Sequence, residues 1–117
     1  MAIPSGSGTE VLSRNRVTTT DSGAKKLIDG VANHVYTVLS IVVCETAGAA
    51  ETFNLYVKNV GGSSEDYELL SDQAIGANKT FIWNDRIVLS GLDELTLAVG
   101  DTCDVDIYCT YIDQDWS

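Results

Sequence analysis

Short runs of alternating apolar and polar residues cover most of the chain, and Gly, Asn, Asp and Ser residues separate them. β-Branched and aromatic side chains dominate these runs, which is typical of strands that bury one face. Helical periodicity is almost absent. About eight strands are predicted, at residues 10–18, 34–45, 52–58, 66–70, 79–83, 86–89, 95–99 and 104–112, and a short apolar piece lies at 26–28.

Two of these runs indicate how their faces are covered. Residues 34–45 carry apolar side chains at odd and even positions alike, so we expect both faces of this strand to be buried. The two faces would carry Val35, Leu39, Ile41 and Val43, and Tyr36, Val38 and Val42. Residues 104–112 alternate strictly, which predicts one buried and one polar face. The buried face would carry Val105, Ile107, Cys109 and Tyr111.

The dipeptide Asn84-Asp85 lies between two apolar runs. Both residue types tolerate positive φ, which two-residue hairpin turns require. We therefore predict a β-hairpin at this point. Trp83 would lie beside its tip, where the ring could stack on a sugar, although packing into the core is the simpler interpretation.

Regular short strands separated by turns predict an all-β fold, an antiparallel β-sandwich. Jelly-roll and immunoglobulin-like topologies both fit this pattern. A chain of 117 residues is enough for one domain, which we place at residues 10–117. Residues 1–9 begin with a Pro-Ser-Gly-Ser-Gly stretch and are predicted to form an extended N-terminal arm.

The charge balance excludes two classes of partner. Seven basic residues face seventeen acidic ones, which gives a net charge of -10. Nucleic acid and anionic membranes are repelled by such a surface, because both bind proteins mainly through Lys and Arg. We also expect neither a signal peptide nor a membrane span, because the chain contains no long apolar run.

Little in the sequence points to catalysis. His34 is the one histidine, no Ser or Cys stands in a recognisable nucleophile motif, and we expect the imidazole to make a structural hydrogen bond. The group Asp101, Asp104 and Asp106 could collect a Ca²⁺ ion, but its spacing does not match the twelve-residue calcium loop, and a solvated acidic edge is the simpler interpretation. We therefore expect no enzyme activity and no cofactor.

The cysteines, Cys44, Cys103 and Cys109, are odd in number and include no C-x-x-C pair. With a single histidine they cannot complete an ordinary structural zinc site. Cys44 and Cys109 fall in strand-like runs, so we expect both to be buried as free thiols, which suits synthesis in a reducing cytoplasm.

Several stretches resemble small β-sandwich structural proteins of tailed bacteriophages. They are the opening IPSGSGTEVL, the strand TFNLYV, the block AIGANKTFIWNDRIVLSGLDELTL and the closing YIDQDWS. Residues 18–32 fall outside this pattern. The resemblance implies a virion protein made in the host cytoplasm, with no catalytic residues. It would act as an outer capsid decoration or cement protein. A neck, tail or fibre-anchoring protein is the alternative within the same class, and a carbohydrate-binding module is the alternative outside it.

The expected partners are further copies of the chain and other virion proteins, such as the major capsid protein. Candidate assembly contacts are apolar residues near the two termini, namely Ile3, Pro4, Val11, Leu12, Ile112 and Trp116. Contacts between like-charged subunits should be apolar or made by the backbone. The competing hypothesis is ionic, because four of the seven basic residues lie in the first 26 positions and could form a basic strap, namely Arg14, Arg16, Lys25 and Lys26.

Overall fold

A computed structural model describes residues 8–60, 62, 65–100 and 103–117. Ile3, Pro4, Asp101 and most of the predicted arm therefore lie outside the described residues. The described part contains nine strands: β1 (Thr9–Thr19), β2 (Lys25–Asp29), β3 (His34–Glu45), β4 (Glu51–Lys58), β5 (Asp66–Ile75), β6 (Thr80–Trp83), β7 (Ile87–Ser90), β8 (Glu94–Val99) and β9 (Val105–Asp115).

The strands form two sheets. Sheet A has the order β1-β9-β3-β6, and β7 also pairs with β3, while sheet B has the order β2-β8-β4-β5. Every pairing is antiparallel. The all-β antiparallel sandwich predicted from the alternating runs is thereby confirmed.

The pairing is nested along the chain. The first strand pairs with the last, the second with the eighth, the third with the sixth and seventh, and the fourth with the fifth. One long hairpin rolled into two sheets is the jelly-roll topology, so the immunoglobulin-like alternative is excluded. This roll leaves β1 and β2 together along one side of the sandwich, and β5 along the opposite side with β6 and β7.

The hairpin predicted at Asn84-Asp85 is wrong. β6 pairs with residues 41–44 of β3, and β7 pairs with residues 35–38 of the same strand. Both are antiparallel to β3, so they run in the same direction as consecutive pieces of one interrupted strand. The interruption lies beside a register shift in β3 between Val38 and Ser40, where the edge strand cannot keep a continuous ladder.

The same bulge corrects the faces assigned to β3. Tyr36 and Val38 point into the core before it, and Ile41 and Val43 do so after it, so the buried positions change from even to odd. The opposite face is half-exposed, and the expected burial of both faces is wrong. One extra residue in a strand reverses every later side chain, which a fixed period of two cannot anticipate.

The core lies between the sheets. β9 contributes Val105, Ile107 and Cys109 from alternate positions, each at most 2% exposed, as its pattern predicts. Phe53 of β4 meets Phe81 of β6 edge-to-face, with ring centroids 5.4 Å apart. The other buried apolar residues include Leu27, Ile28, Leu55, Leu89, Leu95, Leu97 and Val99.

One buried carboxylate joins two connections between strands. Glu45, at the end of β3, is 1% exposed. Its Oε1 accepts hydrogen bonds from the backbone N–H groups of Gly48, Ala49 and Asn78, and its Oε2 accepts one from Ala47, at 2.7–3.1 Å. These donors, led by Asn78, lower the pKa of the Glu45 carboxyl. The carboxylate therefore ties the β3–β4 turn to the β5–β6 turn.

Candidate assembly surface

The structure brings three of the predicted assembly residues to one end of sheet A. Leu12 of β1 lies directly opposite Ile112 of β9, and Val11 lies opposite Asp113. Leu12 is 70% exposed and Val11 is 53% exposed. Two large apolar side chains on an edge strand are therefore open to a neighbouring molecule.

Trp116 packs against its own chain. A Cβ built on Gly8 would lie 2.8 Å from Cδ2 of Trp116, so the indole ring rests on the start of β1. The backbone N–H of Trp116 donates to the carbonyl of Asn33 at 2.9 Å. Its buried Nε1–H finds no acceptor among the described residues. An additional role of Trp116 in assembly stays a prediction.

The face of sheet A that points away from the core carries two apolar rows across the strands. We call it the outer face. In the first row, Leu12 is paired with Ile112, Ile112 with Thr37, and Thr37 with Val88. Leu12 and Val88, at the two edges of the sheet, are 70% and 58% exposed. Side chains that are directly opposite on paired strands lie on one face, so this row is continuous across the sheet.

The second row runs parallel to the first. Arg16 is paired with Tyr108, Tyr108 with Val42, and Val42 with Ile82. Tyr108 is 42% exposed and Ile82 is 60% exposed. A polar row lies between the two and consists of Arg14, Thr110 and Ser40.

A shallow depression of about 610 Å³ adjoins the second row. Its lining includes Arg16, Cys44, Asp106 and Tyr108. Oδ1 of Asp106 accepts a hydrogen bond from the hydroxyl of Thr18 at 2.8 Å. This side-chain pair fixes the polar rim of the depression.

The thiols occupy different environments. Cys109 is fully buried in the core as predicted, and burial raises the pKa of its thiol to about 12. Cys44 is half-buried at the depression, not buried as expected, because its side chain lies on the outer face. Cys103 is buried and its Sγ–H donates to the carbonyl of Thr19 at 3.5 Å, while burial raises the pKa of this thiol too.

His34 makes the structural contacts predicted for it. Nδ1 lies 2.7 Å from Oδ1 of Asp113, and Nε2 lies 3.5 Å from Oδ1 of Asp115. The ring stacks on Tyr36 at a centroid distance of 5.8 Å. The Tyr36 hydroxyl accepts from the backbone N–H of Val31 at 3.0 Å, and burial raises the pKa of this phenol. These contacts anchor the end of β9 next to Leu12 and Ile112.

The four N-terminal basic residues separate into two groups. The Lys25 ammonium lies 3.3 Å from an Asp21 carboxylate oxygen, and that of Lys26 lies 2.9 Å from a Glu94 oxygen. Arg14 and Arg16 are exposed on the outer face, and within the described ranges neither has a carboxylate within 4.0 Å. Lys25 and Lys26 are paired within the subunit, so only Arg14 and Arg16 remain of the four basic side chains predicted to contact a neighbour.

Sequence reasoning missed much of the outer face. The alternation over residues 104–112 leaves Tyr108 on the polar face of its strand, but no local pattern joins this ring to Val42, Ile82 or Val88. Only the pairing of β6 and β7 with β3 brings these side chains into rows. Among the described residues no group of three or more His, Cys, Asp or Glu side chains is placed to hold a metal ion. Nor do they include a helix long and apolar enough to cross a membrane.

No family model and no curated protein matches this sequence. Among solved structures, a chain of Bacillus endospore appendages, described as disulfide-linked pili, superposes with a TM-score of 0.57 and 12% identity over 100% of this chain and 97% of its own. A Clostridium thermocellum xylanase 10B with CBM22-1 and GH10 modules superposes with a TM-score of 0.47 and 16% sequence identity. The match covers 92% of this chain and 22% of the xylanase chain. A chain from the cyanophage Pam1 capsid asymmetric unit superposes with a TM-score of 0.41 and 15% sequence identity. The match covers 98% of this chain and 92% of the capsid chain. The first likeness shows a shared sandwich fold, and the other two show no more than a distant resemblance.

Proposed function

We propose that this chain is a non-enzymatic structural subunit of a bacteriophage virion, an outer capsid decoration or cement protein that is made in the host cytoplasm. The resemblance of its sequence segments to phage sandwich proteins supports the virion class. A jelly roll with an excess of acidic residues is compatible with that role, and so is the N-terminal arm predicted from the sequence.

The observation that carries the proposal is the outer face of sheet A. Leu12, Ile82 and Val88 are each more than half exposed there, and Tyr108, Val42 and Ile112 continue the same two rows. Several large apolar side chains exposed together on one sheet face are typical of a protein interface. We assign it to the contact with another virion protein, such as the major capsid protein, because apolar contact holds even where acidic surfaces repel each other.

Assembly through disulfides, as the name of the Bacillus pili describes, is not proposed for this chain. Its first cysteine is Cys44, so the arm and β1 contain no thiol. Cys109 is fully buried in the core, where a neighbouring thiol cannot reach it. Cys44 is the one half-buried thiol, and the contacts proposed here use the apolar side chains of the outer face and not this thiol.

A carbohydrate-binding role receives less support. Sugar-binding platforms usually present two or three rings on one face. Tyr108 is the one aromatic side chain in the two rows of the outer face. Trp83 instead donates its indole N–H to the carbonyl of Asp85 at 2.9 Å.

Binding to capsid shells that lack the protein tests the proposal. Purified protein is mixed with such shells and with isolated tails, and pelleted material is quantified. We expect saturable binding to shells and at least about tenfold weaker binding by the double variant Ile82→Ser/Val88→Ser. Val31→Ser is the matched control, because Val31 is 51% exposed but lies in the β2–β3 turn.

Each other outcome counts against a specific part of the proposal. Binding to tails alone supports the neck or tail alternative and overturns decoration. If Val31→Ser weakens binding to shells as much as Ile82→Ser/Val88→Ser does, the outer face is not the docking surface. Absence of binding to either particle, by protein whose circular dichroism shows it to be folded, overturns the virion role.

A further inference from the structure

Two arginines lie two residues apart on an edge strand. β1 is the end strand of sheet A, and its paired side is taken by β9. Arg14 and Arg16 both project onto the outer face, opposite Thr110 and Tyr108. Between them, the side-chain amide of Asn15 turns inward and donates to the carbonyl of Leu27 at 3.0 Å. Arg14 and Arg16 therefore place two positive charges on the same face of this edge strand.

The opposite side of the sandwich carries the matching pair of negative charges. β5 is an end strand of sheet B. Asp66 lies opposite Lys58 and Glu68 lies opposite Tyr56, so both carboxylates are on the outward side of that sheet. Asp66 is 3.4 Å from the Lys58 ammonium, whereas Glu68 is exposed and has no cation within 4.0 Å in the described part of the chain.

The spacing of the two pairs matches. Positions i and i+2 on a strand share one face, so Arg14 and Arg16 have the same separation as Asp66 and Glu68. Edge strands also expose unpaired backbone N–H and C=O groups, which a strand of another molecule can satisfy. Backbone pairing of these two edges would place opposite charges directly across from each other.

We propose that β1 of one copy pairs with the first half of β5 of a second copy, with Arg14 facing Glu68 and Arg16 facing Asp66. The inference takes up the expectation that copies of this chain associate, and it does not depend on the proposed binding to shells. The pairing is limited to residues 66–68, because the register of β5 against β4 shifts between Glu68 and Leu70 and again between Leu70 and Gln73, and Asp72 has a positive φ of 49°.

This contact is heterologous, because its two edges lie on opposite sides of one subunit. Each copy then offers one edge to its neighbour on either side, and the contact closes into a ring or continues as a filament. The centre of the outer face stays free. Because the pairing joins the outward side of sheet A in one copy to the outward side of sheet B in the next, the outer faces of successive copies point in opposite directions.

Charge reversal at one edge at a time provides the test. The first variant is Arg14→Glu/Arg16→Glu, and the second is Asp66→Arg/Glu68→Arg. Sedimentation velocity at low salt measures association of each alone and of an equimolar mixture. We expect each variant alone to associate at least about tenfold more weakly than the wild type, because like charges then face each other. The mixture should recover assembly, because every contact again joins opposite charges.

The control is Lys79→Glu/Arg86→Glu, which changes the net charge as much as the first variant but lies outside both strands. It should associate like the wild type. Wild-type association should weaken as NaCl rises, because the screening length falls from about 30 Å at 0.01 M to about 8 Å at 0.15 M.

A wild-type chain that stays monomeric, variants that associate like the wild type, or a mixture that fails to recover assembly would each overturn the inference. The proposed function is scored separately by shell binding. Suppose that Ile82→Ser/Val88→Ser binds shells as well as the wild type does, while the mixture of charge-reversed variants recovers assembly. Docking through the outer face is then refuted, and the edge contact is supported. The reverse result refutes the edge contact alone.

Discussion

Gly8 lies so close to Trp116 that a Cβ added to it would be 2.8 Å from Cδ2 of the indole and 2.9 Å from the carbonyl oxygen of Asp115. Glycine is therefore required at this point because it lacks a side chain. The contact fastens the start of β1 to the end of β9. It explains why an aromatic residue that follows the last strand is partly buried.

Replacing Gly8 by alanine should displace the indole ring. We expect Gly8→Ala to lower the free energy of unfolding by about 1–3 kcal/mol, the usual cost of forcing an extra methyl into a packed site. Urea unfolding followed by circular dichroism measures this. In a Trp116→Ala background the cost should fall but not vanish, because the carbonyl of Asp115 is still in the way. An undiminished cost would show that the ring does not rest on Gly8.

Glu45 should make folding stability depend on acid. The pKa of its carboxyl is lowered in the folded protein, chiefly by the Asn78 N–H, so its contribution is present at neutral pH and is lost as the pH falls through the folded pKa. Thermal midpoints measured between about pH 7 and pH 3 should therefore decline in the wild type. Glu45→Gln should be less stable at pH 7 and show a shallower decline.

Glu65→Gln is the matched control for this substitution. Glu65 is exposed and accepts only a 3.3 Å hydrogen bond from the Tyr67 hydroxyl among its described side-chain contacts. Its thermal midpoints should follow those of the wild type. Parallel curves for wild type and Glu45→Gln would show that the four N–H contacts do not stabilise the ionised carboxyl.

The cysteines should differ in reactivity. Iodoacetamide at pH 8 should modify Cys44 in the folded protein and leave Cys109 unmodified, because Cys109 is fully buried with a pKa of about 12. Peptide mass spectrometry locates the label. Cys109→Ala should cost about 1–2 kcal/mol of stability through lost packing, and Cys44→Ala should cost less. Rapid labelling of Cys109 in the native state would contradict this burial.

Most of the strands could be predicted because apolar and polar residues alternate along them with the two-residue period of a β-strand. The alternation over residues 104–112 correctly assigned the inner face of β9, and 34–45 was assigned to β3 with its observed bounds. Turn chemistry was less informative. Asn84-Asp85 has the composition of a hairpin, but both flanking runs pair with β3, and this long-range partner decides the direction of the chain.

The assembly surface depended on pairing that no local pattern contains. Leu12 and Ile112 are a hundred residues apart in sequence and directly opposite in sheet A. Local hydrophobicity identified both residues as candidates, but it could not add Ile82 and Val88. Likewise, counting charges placed four basic residues near the N-terminus, and only the fold showed that Lys25 and Lys26 are already paired.

Removal of residues 1–7 should affect assembly more than folding. The buried core of the described sandwich is formed by residues between Leu27 and Cys109, and Gly8 would be retained beneath Trp116. The thermal midpoint of the monomer should therefore change by less than about 2 °C, whereas a loss of 1 kcal/mol would shift it by roughly 4–8 °C in a domain of this size. The mass of the oligomer, or the amount bound to shells, should fall.

A chain in which residues 1–7 are replaced by an equally long Gly-Ser segment separates sequence from length. If Ile3 and Pro4 contribute the contact, this chain should behave like the deletion. If it assembles like the wild type, the apolar residues of the arm are not recognised. A large fall in the thermal midpoint of the truncated monomer would show instead that the arm stabilises its own domain, because a segment that serves only a neighbour cannot contribute to the stability of an isolated subunit.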